Sequence, residues 1–128
     1  RDNAFIYCDP PYFDTENMYK CGFTMDDHMR LFNTFREAKG KVLISYNDCA
    51  VARKTYDEYC IMSFSRVHSM AQKYEPGKEF HELLIANYDI LEREKNKPYQ
   101  LTIFDSGESA EVSNLLKGSV IHYGRKII

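Results

Sequence analysis

The chain has 128 residues, 44% of them apolar and 28% charged, with a formal net charge of −2. That composition belongs to a globular domain with a core of its own and excludes a disordered segment. No apolar run approaches membrane-spanning length, which argues against a membrane protein, and the charge balance argues against strong nonspecific nucleic-acid binding by this chain alone.

The first predicted element is a buried strand from Ala4 to Cys8. It runs into Asp9-Pro10-Pro11-Tyr12, and loop chemistry continues to Gly22. "TMDDHMRLFNTFREAKG" reads as a helix, with Thr24 as N-cap and Asp27 three residues later as in a capping box. Leu31, Phe32, Phe35 and Ala38 fall on one face, and Gly40 is the expected C′ residue. "KVLISYND" is an apolar run of the kind found in parallel sheets covered on both faces. Asp48 is expected to cap a second helix reaching about Tyr59. Strand, helix, strand, helix predicts an α/β sheet.

After Cys60 the pattern changes. "CIMSFSRVHSM" and "FHELLIANYD" are strand candidates, and the loop "AQKYEPGK" between them is too short for a helix. They are expected to form an antiparallel hairpin at the edge of the sheet. "ILEREKNKP" is a charged connector. The last stretch holds a candidate strand, a short helix over 111–117 and a final strand, with no role assigned. The expected division is a catalytic part over 1–90 and a tail over 91–128. Cys8, Cys21, Cys49 and Cys60 form no C-x-x-C pair and are expected as free thiols of a reducing cytoplasm. The four histidines are too scattered for a zinc set, and no metal is expected.

The tetrapeptide at residues 9–12 carries the chemistry. Two successive prolines end strand pairing, since neither has an N–H, and Pro11 holds Pro10 extended. Their carbonyls remain acceptors at the carboxyl end of a strand, where open α/β sheets bind ligands. Asp9 adds a second acceptor, and Tyr12 adds a flat face and a hydroxyl. Two acceptors and a stacking surface suit a planar ring with an exocyclic amine. The plain alternative is a rigid turn after a strand.

"FIYCDPPYF" resembles the catalytic motif of the amino-methyltransferases, in particular the Dam-type DNA adenine N6-methyltransferases. "KVLISYND" is similar to the strand that follows the motif in that family, and "ARKTYDEY" to the helix after it. "EFHELLIANY" resembles one of the family's last sheet strands, where a Glu-Leu-Leu run leads to a tyrosine. The resemblance spans roughly residues 3–89. It implies a partial Rossmann-like methyltransferase sheet, S-adenosylmethionine as methyl donor, and double-stranded DNA as partner, with the target adenine flipped into a pocket. It assigns Asp9 and Pro10 to the two N6 hydrogens, Tyr12 to stacking on the base, and Asp9 to part of the methyl-donor site. Asp9, Pro10, Pro11 and Tyr12 together form the implied catalytic motif.

The family binds its methyl donor at a glycine-rich loop like F-x-G-x-G. The six glycines here, at 22, 40, 77, 107, 118 and 124, form no G-x-G. The chain also starts Arg1-Asp2-Asn3 and enters a strand at once. Both features read as the C-terminal part of a longer enzyme, lacking the N-terminal half and inactive alone, with an apolar strand edge that favours homodimers or strand swapping. Asn47 and Asp48 are candidates for touching base or donor, with a helix cap the alternative for Asp48. Tyr19 and Lys20 are candidates for DNA contact, Arg66 and Lys73 for phosphate. His28 and His68 are read as surface or helix-face residues without a role. The rival functions are an RNA adenine N6-methyltransferase, a DNA cytosine N4-methyltransferase, and a non-catalytic interaction module with a methyltransferase-like fold.

Overall fold

The computed structural model describes residues 2–13, 22–67, 79–95 and 119–127. The elements are β1 (Phe5–Cys8), α1 (Met25–Glu37), β2 (Lys41–Asn47), α2 (Ala50–Thr55), β3 (Cys60–Val67), β4 (Glu79–Ala86), α3 (Glu92–Lys95) and β5 (Val120–Tyr123). The strands form one mixed sheet in the order β1-β2-β4-β3-β5. β1 and β2 are parallel, with Cys8 opposite Ile44, and α1 makes the crossover between them. β4 is antiparallel to both β2 and β3, and β5 is antiparallel to β3.

α1 begins where its cap dictates. Asp27 N–H donates to Thr24 Oγ1, and Thr24 N–H donates back to Asp27 Oδ2 at 2.9 Å, a complete capping box. These Thr24 donors, with Arg30 adding to them, hold the Asp27 carboxyl below the usual carboxylate range. The helix ends at the extended C-cap Ala38, whose N–H bonds Phe35 C=O, so Gly40 is not the C′ residue expected of it. Phe35 is buried, and Leu31, Phe32 and Ala38 pack against the same core, as the 3.6-residue spacing requires.

Asp48 does not cap α2. The N-cap is Cys49, with no side-chain bond, and the Asp48 carboxylate instead takes Arg53 Nε at 2.6 Å and Nη2 at 2.8 Å. That fork holds Asp48 below the usual carboxylate range and raises the Arg53 guanidinium. α2 also stops at Thr55 rather than near Tyr59. The backbone beyond it has other partners: Gly124 N–H donates to Tyr59 C=O and Lys126 N–H to Glu58 C=O. Tyr56 and Tyr59 turn into the core there.

The core lies on one sheet face. Val42, Ile44 and Tyr46 of β2, Leu83 and Ile85 of β4 and Ile61 of β3 meet Phe35 of α1 and Ala52 of α2. The opposite face, with Leu43, Leu84, Met62 and Phe64 half-buried, is less covered among the described residues than a doubly covered parallel sheet would be. Among the described residues β1 is an edge strand with one neighbour, and Phe5, Ile6 and Tyr7 are each about half exposed, not buried as expected.

The expected hairpin exists, but not at the sheet's edge. β4 lies between β2 and β3, and β5 covers the far side of β3. Glu82, Leu83, Ile85 and Ala86, which alternate between the two sheet faces, are all buried at this central position. Of the tail, Val120–Tyr123 forms the predicted final strand; the segment with the predicted helix over 111–117 lies outside the described residues. No described helix is long and apolar enough to cross a membrane.

Candidate active site at the carboxyl end of β1

The parallel register sets the site. With Tyr7 opposite Leu43 and Cys8 opposite Ile44, the chain leaves β1 alongside Ser45. Ser45 Oγ donates to Asp9 Oδ1 at 2.7 Å and accepts from the Tyr7 hydroxyl at 3.1 Å. An Asp in a simple turn bonds the N–H two residues on. Here that residue is Pro11, which has none. The Asp9 carboxylate is therefore held across the sheet, and a plain turn does not account for it.

The far end of the motif is anchored separately. Phe13 is 1% exposed, stacks on His28 with ring centroids 4.0 Å apart and packs at a tilt against Tyr46 at 4.6 Å. Asn47 clamps its backbone: Phe13 N–H donates to Asn47 Oδ1 at 3.1 Å, and Asn47 Nδ2 donates to Phe13 C=O at 3.4 Å. Between these anchors the Tyr12 hydroxyl donates to Glu82 Oε1 at 2.7 Å. The motif is thus tied to β2 at Asp9, to β4 at Tyr12 and to the core at Phe13.

Two acceptors stay open. Asp9 is exposed, and among the described residues neither its Oδ2 nor the Pro10 carbonyl has a hydrogen-bond partner. A cavity of about 480 Å³ opens beside them, bordered by Cys8, Asp9 and Pro10 on one side and Phe23, Asp27 and Leu31 on the other. That volume is in the range of small-ligand sites. Its lining sets the Asp9 and Asp27 carboxylates and the Arg30 guanidinium, which pairs with Asp27, among the apolar side chains of Phe23 and Leu31, a mixed lining with charges of both signs. Burial pushes the Cys8 thiol up, which disfavours its thiolate form. Cys8 and Cys49 are free thiols, and Cys60 is buried.

Of the sequence candidates, Asp9, Pro10, Pro11, Tyr12 and Asn47 are brought together here. Asp48 faces Arg53 instead, and Arg66 sits in β3. Tyr19, Lys20, His68 and Lys73 lie outside the described residues. His28 is not a surface residue: it is 1% exposed, with Nδ1 2.9 Å from the Tyr46 hydroxyl. Sequence reading passed over Ser45, Tyr7, Glu82 and Phe13. A signal existed for two of them. Ser45 is the one hydroxyl inside "VLIS", and Glu82 is a charge inside an apolar strand; buried polar groups in strands have partners.

Acceptors at a strand's carboxyl end in a mixed α/β sheet lie where folds of this class bind ligands, beyond the strand tips. The model of the D12 class N6 adenine-specific DNA methyltransferases matches residues 1–72, more than half of the 128-residue chain and all of the site except Glu82. The chain belongs to this family, whose members methylate adenine in DNA. A search of curated proteins returns no match.

Proposed function

We propose that this chain carries the catalytic motif of a Dam-type enzyme that moves a methyl group from S-adenosylmethionine to N6 of an adenine flipped from double-stranded DNA. The observation that carries the reading is the pair of acceptors at the end of β1, Asp9 Oδ2 and the Pro10 carbonyl, that have no hydrogen-bond partner among the described residues. An exocyclic amine has two N–H groups. Asp9 and Pro10 accept one each, which draws the nitrogen toward a tetrahedral shape and aims its lone pair at the methyl carbon; as the N–C bond forms the C–S bond would break, a neutral thioether would leave, and the methylated amine would give up one N6 proton to solvent. That is positioning with electrostatic stabilisation. Tyr12, held by Glu82, offers its ring for stacking, and Asn47 sets the loop that presents it. The donor, when bound, supplies an electrophilic methyl on a sulfonium; the Asp9 carboxylate beside the apolar Phe23 and Leu31 would face that cation, while Asp27 is already matched by Arg30.

The reading includes a longer enzyme of which residues 1–90 are the C-terminal catalytic part and 91–128 a tail, with the glycine-rich donor loop and the DNA-recognition segment elsewhere in the polypeptide. The half-exposed Phe5, Ile6 and Tyr7 on the β1 edge support a neighbouring strand there, or self-association where none is present. The cytoplasm is the proposed compartment.

The test is S-adenosylmethionine binding by calorimetry and methyl transfer to adenine-containing duplex DNA, with and without Asp9→Ala. Transfer that needs Asp9 is expected from the full-length protein. Transfer that survives Asp9→Ala, or that prefers RNA or cytosine, overturns the reading.

A further inference from the structure

Asp9 has two carboxylate oxygens, and the fold has taken one of them. Ser45 Oγ donates to Asp9 Oδ1 at 2.7 Å while accepting from the Tyr7 hydroxyl at 3.1 Å. A hydroxyl has a single proton. With the Ser45 proton on Asp9, the Tyr7 proton points at Ser45, and the chain of bonds runs one way, from Tyr7 to Ser45 to Asp9. Side chains alternate along a strand, so Tyr7 and Asp9 leave β1 on the same side and meet Ser45 across the parallel register. Ser45 is 8% exposed and Asp9 is exposed. A buried, immobile donor therefore grips a carboxylate that would otherwise rotate freely in water.

We infer that Ser45, backed by Tyr7, is a positioning residue for methyl transfer: it holds Asp9 so that Oδ2 alone meets the substrate amine, leaving the second hydrogen to the Pro10 carbonyl. This rests on the proposed adenine methyltransferase reading. A rotating carboxylate offers either oxygen, or both, and leaves the direction of the nitrogen lone pair open. A fixed one defines a single approach for the methyl group. The effect falls on turnover more than on substrate binding, because stacking on Tyr12 and contacts to DNA do not pass through Ser45. Polar partners behind a functional group act this way in other sites, where losing one costs about 10–100-fold. A 1 Å misplacement costs a similar factor.

The test uses the full-length protein with Ser45→Ala, Ser45→Thr, Tyr7→Phe, the Tyr7→Phe/Ser45→Ala double variant and Asp9→Ala, assayed for steady-state methyl transfer to adenine-containing duplex DNA and for thermal stability. Ser45→Ala is expected to lower kcat about 10–100-fold with KM for DNA within about twofold. Ser45→Thr keeps the hydroxyl and restores most of the turnover. Tyr7→Phe lowers kcat severalfold in the wild-type background and adds nothing to Ser45→Ala, since both act through one chain of bonds. If wild-type transfer needs Asp9 but Ser45→Ala keeps kcat within about twofold, the inference fails and the methyltransferase reading stands. If Ser45→Ala lowers the melting temperature and Ser45→Thr does not rescue kcat, Ser45 is structural only and the inference fails again. If the wild type transfers no methyl group, or Asp9→Ala transfers as well as wild type, the functional reading itself falls and takes this role with it.

Discussion

The hydroxyl of Tyr12 donates to Glu82 Oε1 at 2.7 Å, joining two residues 70 positions apart in the chain. Glu82 is 7% exposed, so a buried carboxylate on β4 orients the aromatic ring that closes the motif. Tyr12→Phe keeps the ring and removes a bond to a charged acceptor. The expected loss is about 1–3 kcal/mol of stability, read as a lower urea midpoint at unchanged m-value. Tyr12→Ala removes the stacking face as well, worth about 1–3 kcal/mol per base on single-strand platforms, and is expected to raise KM for DNA by roughly tenfold or more. A Tyr12→Ala enzyme with wild-type KM would remove the ring from the substrate site.

Asn47 uses both ends of its amide on Phe13, so its removal strips the motif's far anchor. Asn47→Ala is expected to cost about 1–3 kcal/mol by leaving Phe13 N–H and C=O without their partners. Asn47→Asp keeps the acceptor for Phe13 N–H but turns a carboxylate toward Phe13 C=O, and should rescue little. Parallel denaturant curves for the two variants check this. Equal stability to wild type in Asn47→Ala would mean that Phe13 packing on His28 and Tyr46 holds the loop unaided.

How far these contacts were legible beforehand depended on their range. Thr24 and Asp27 were readable as a capping box because the two residues are three apart and the bonds are local. The strand order was only partly readable. A short loop makes a hairpin of β3 and β4, but whether β4 enters the sheet's middle depends on which strand its faces fit, and Leu83 and Ile85 settle that only in three dimensions. The Asp48 expectation failed for a related reason: a cap and an ion pair compete for one carboxylate, and the Arg53 fork, five residues on, offers two charge-assisted bonds. In the site, Asp9, Pro10 and Tyr12 announced themselves by residue type. Ser45 and Glu82 did not, since a lone serine or glutamate gains meaning only from the strand register that aligns it.

Gly124 is required by its neighbours. It lies just past β5, and a Cβ there would run into the backbone of Glu58 and Tyr59, the same segment that takes its N–H. Gly124→Ala must push the β5 end off the α2–β3 connection. The expected cost is about 1–3 kcal/mol or more, the range for forced overpacking, with fraying concentrated at β5. Amide hydrogen exchange checks the location: Tyr123 and Lys126 should lose protection while Ile44 keeps it.

Alkaline pH should unfold this protein through its buried phenols. Burial pushes Tyr46 and Tyr56 well above the ordinary phenol value of 10.0. Above that value the unfolded chain releases these protons and the folded chain keeps them. The stabilisation is therefore whole below pH 10 and is lost as pH rises beyond it, at about 1.4 kcal/mol per pH unit for each tyrosine. Urea midpoints measured from pH 8 to 11 should be flat and then fall, and Tyr56→Phe should make the fall shallower. An unchanged slope in Tyr56→Phe would assign the loss to other groups.

The β1 edge makes the last prediction. Its outer side has no strand partner among the described residues, and Phe5 at 60%, Ile6 at 47% and Tyr7 at 55% exposure leave an apolar ribbon beside unpaired backbone. Such edges pair with other chains unless charge or a bulge blocks them. The 128-residue chain is expected to self-associate as concentration rises, with a mass by light scattering that climbs above the monomer. Ile6→Lys places a charge on the edge and should restore the monomer while leaving the core, which lies on β2 and β4, unchanged in its melting behaviour. A monomer of the unaltered chain at high concentration would mean that the edge is protected and that its exposed rings face something other than another strand.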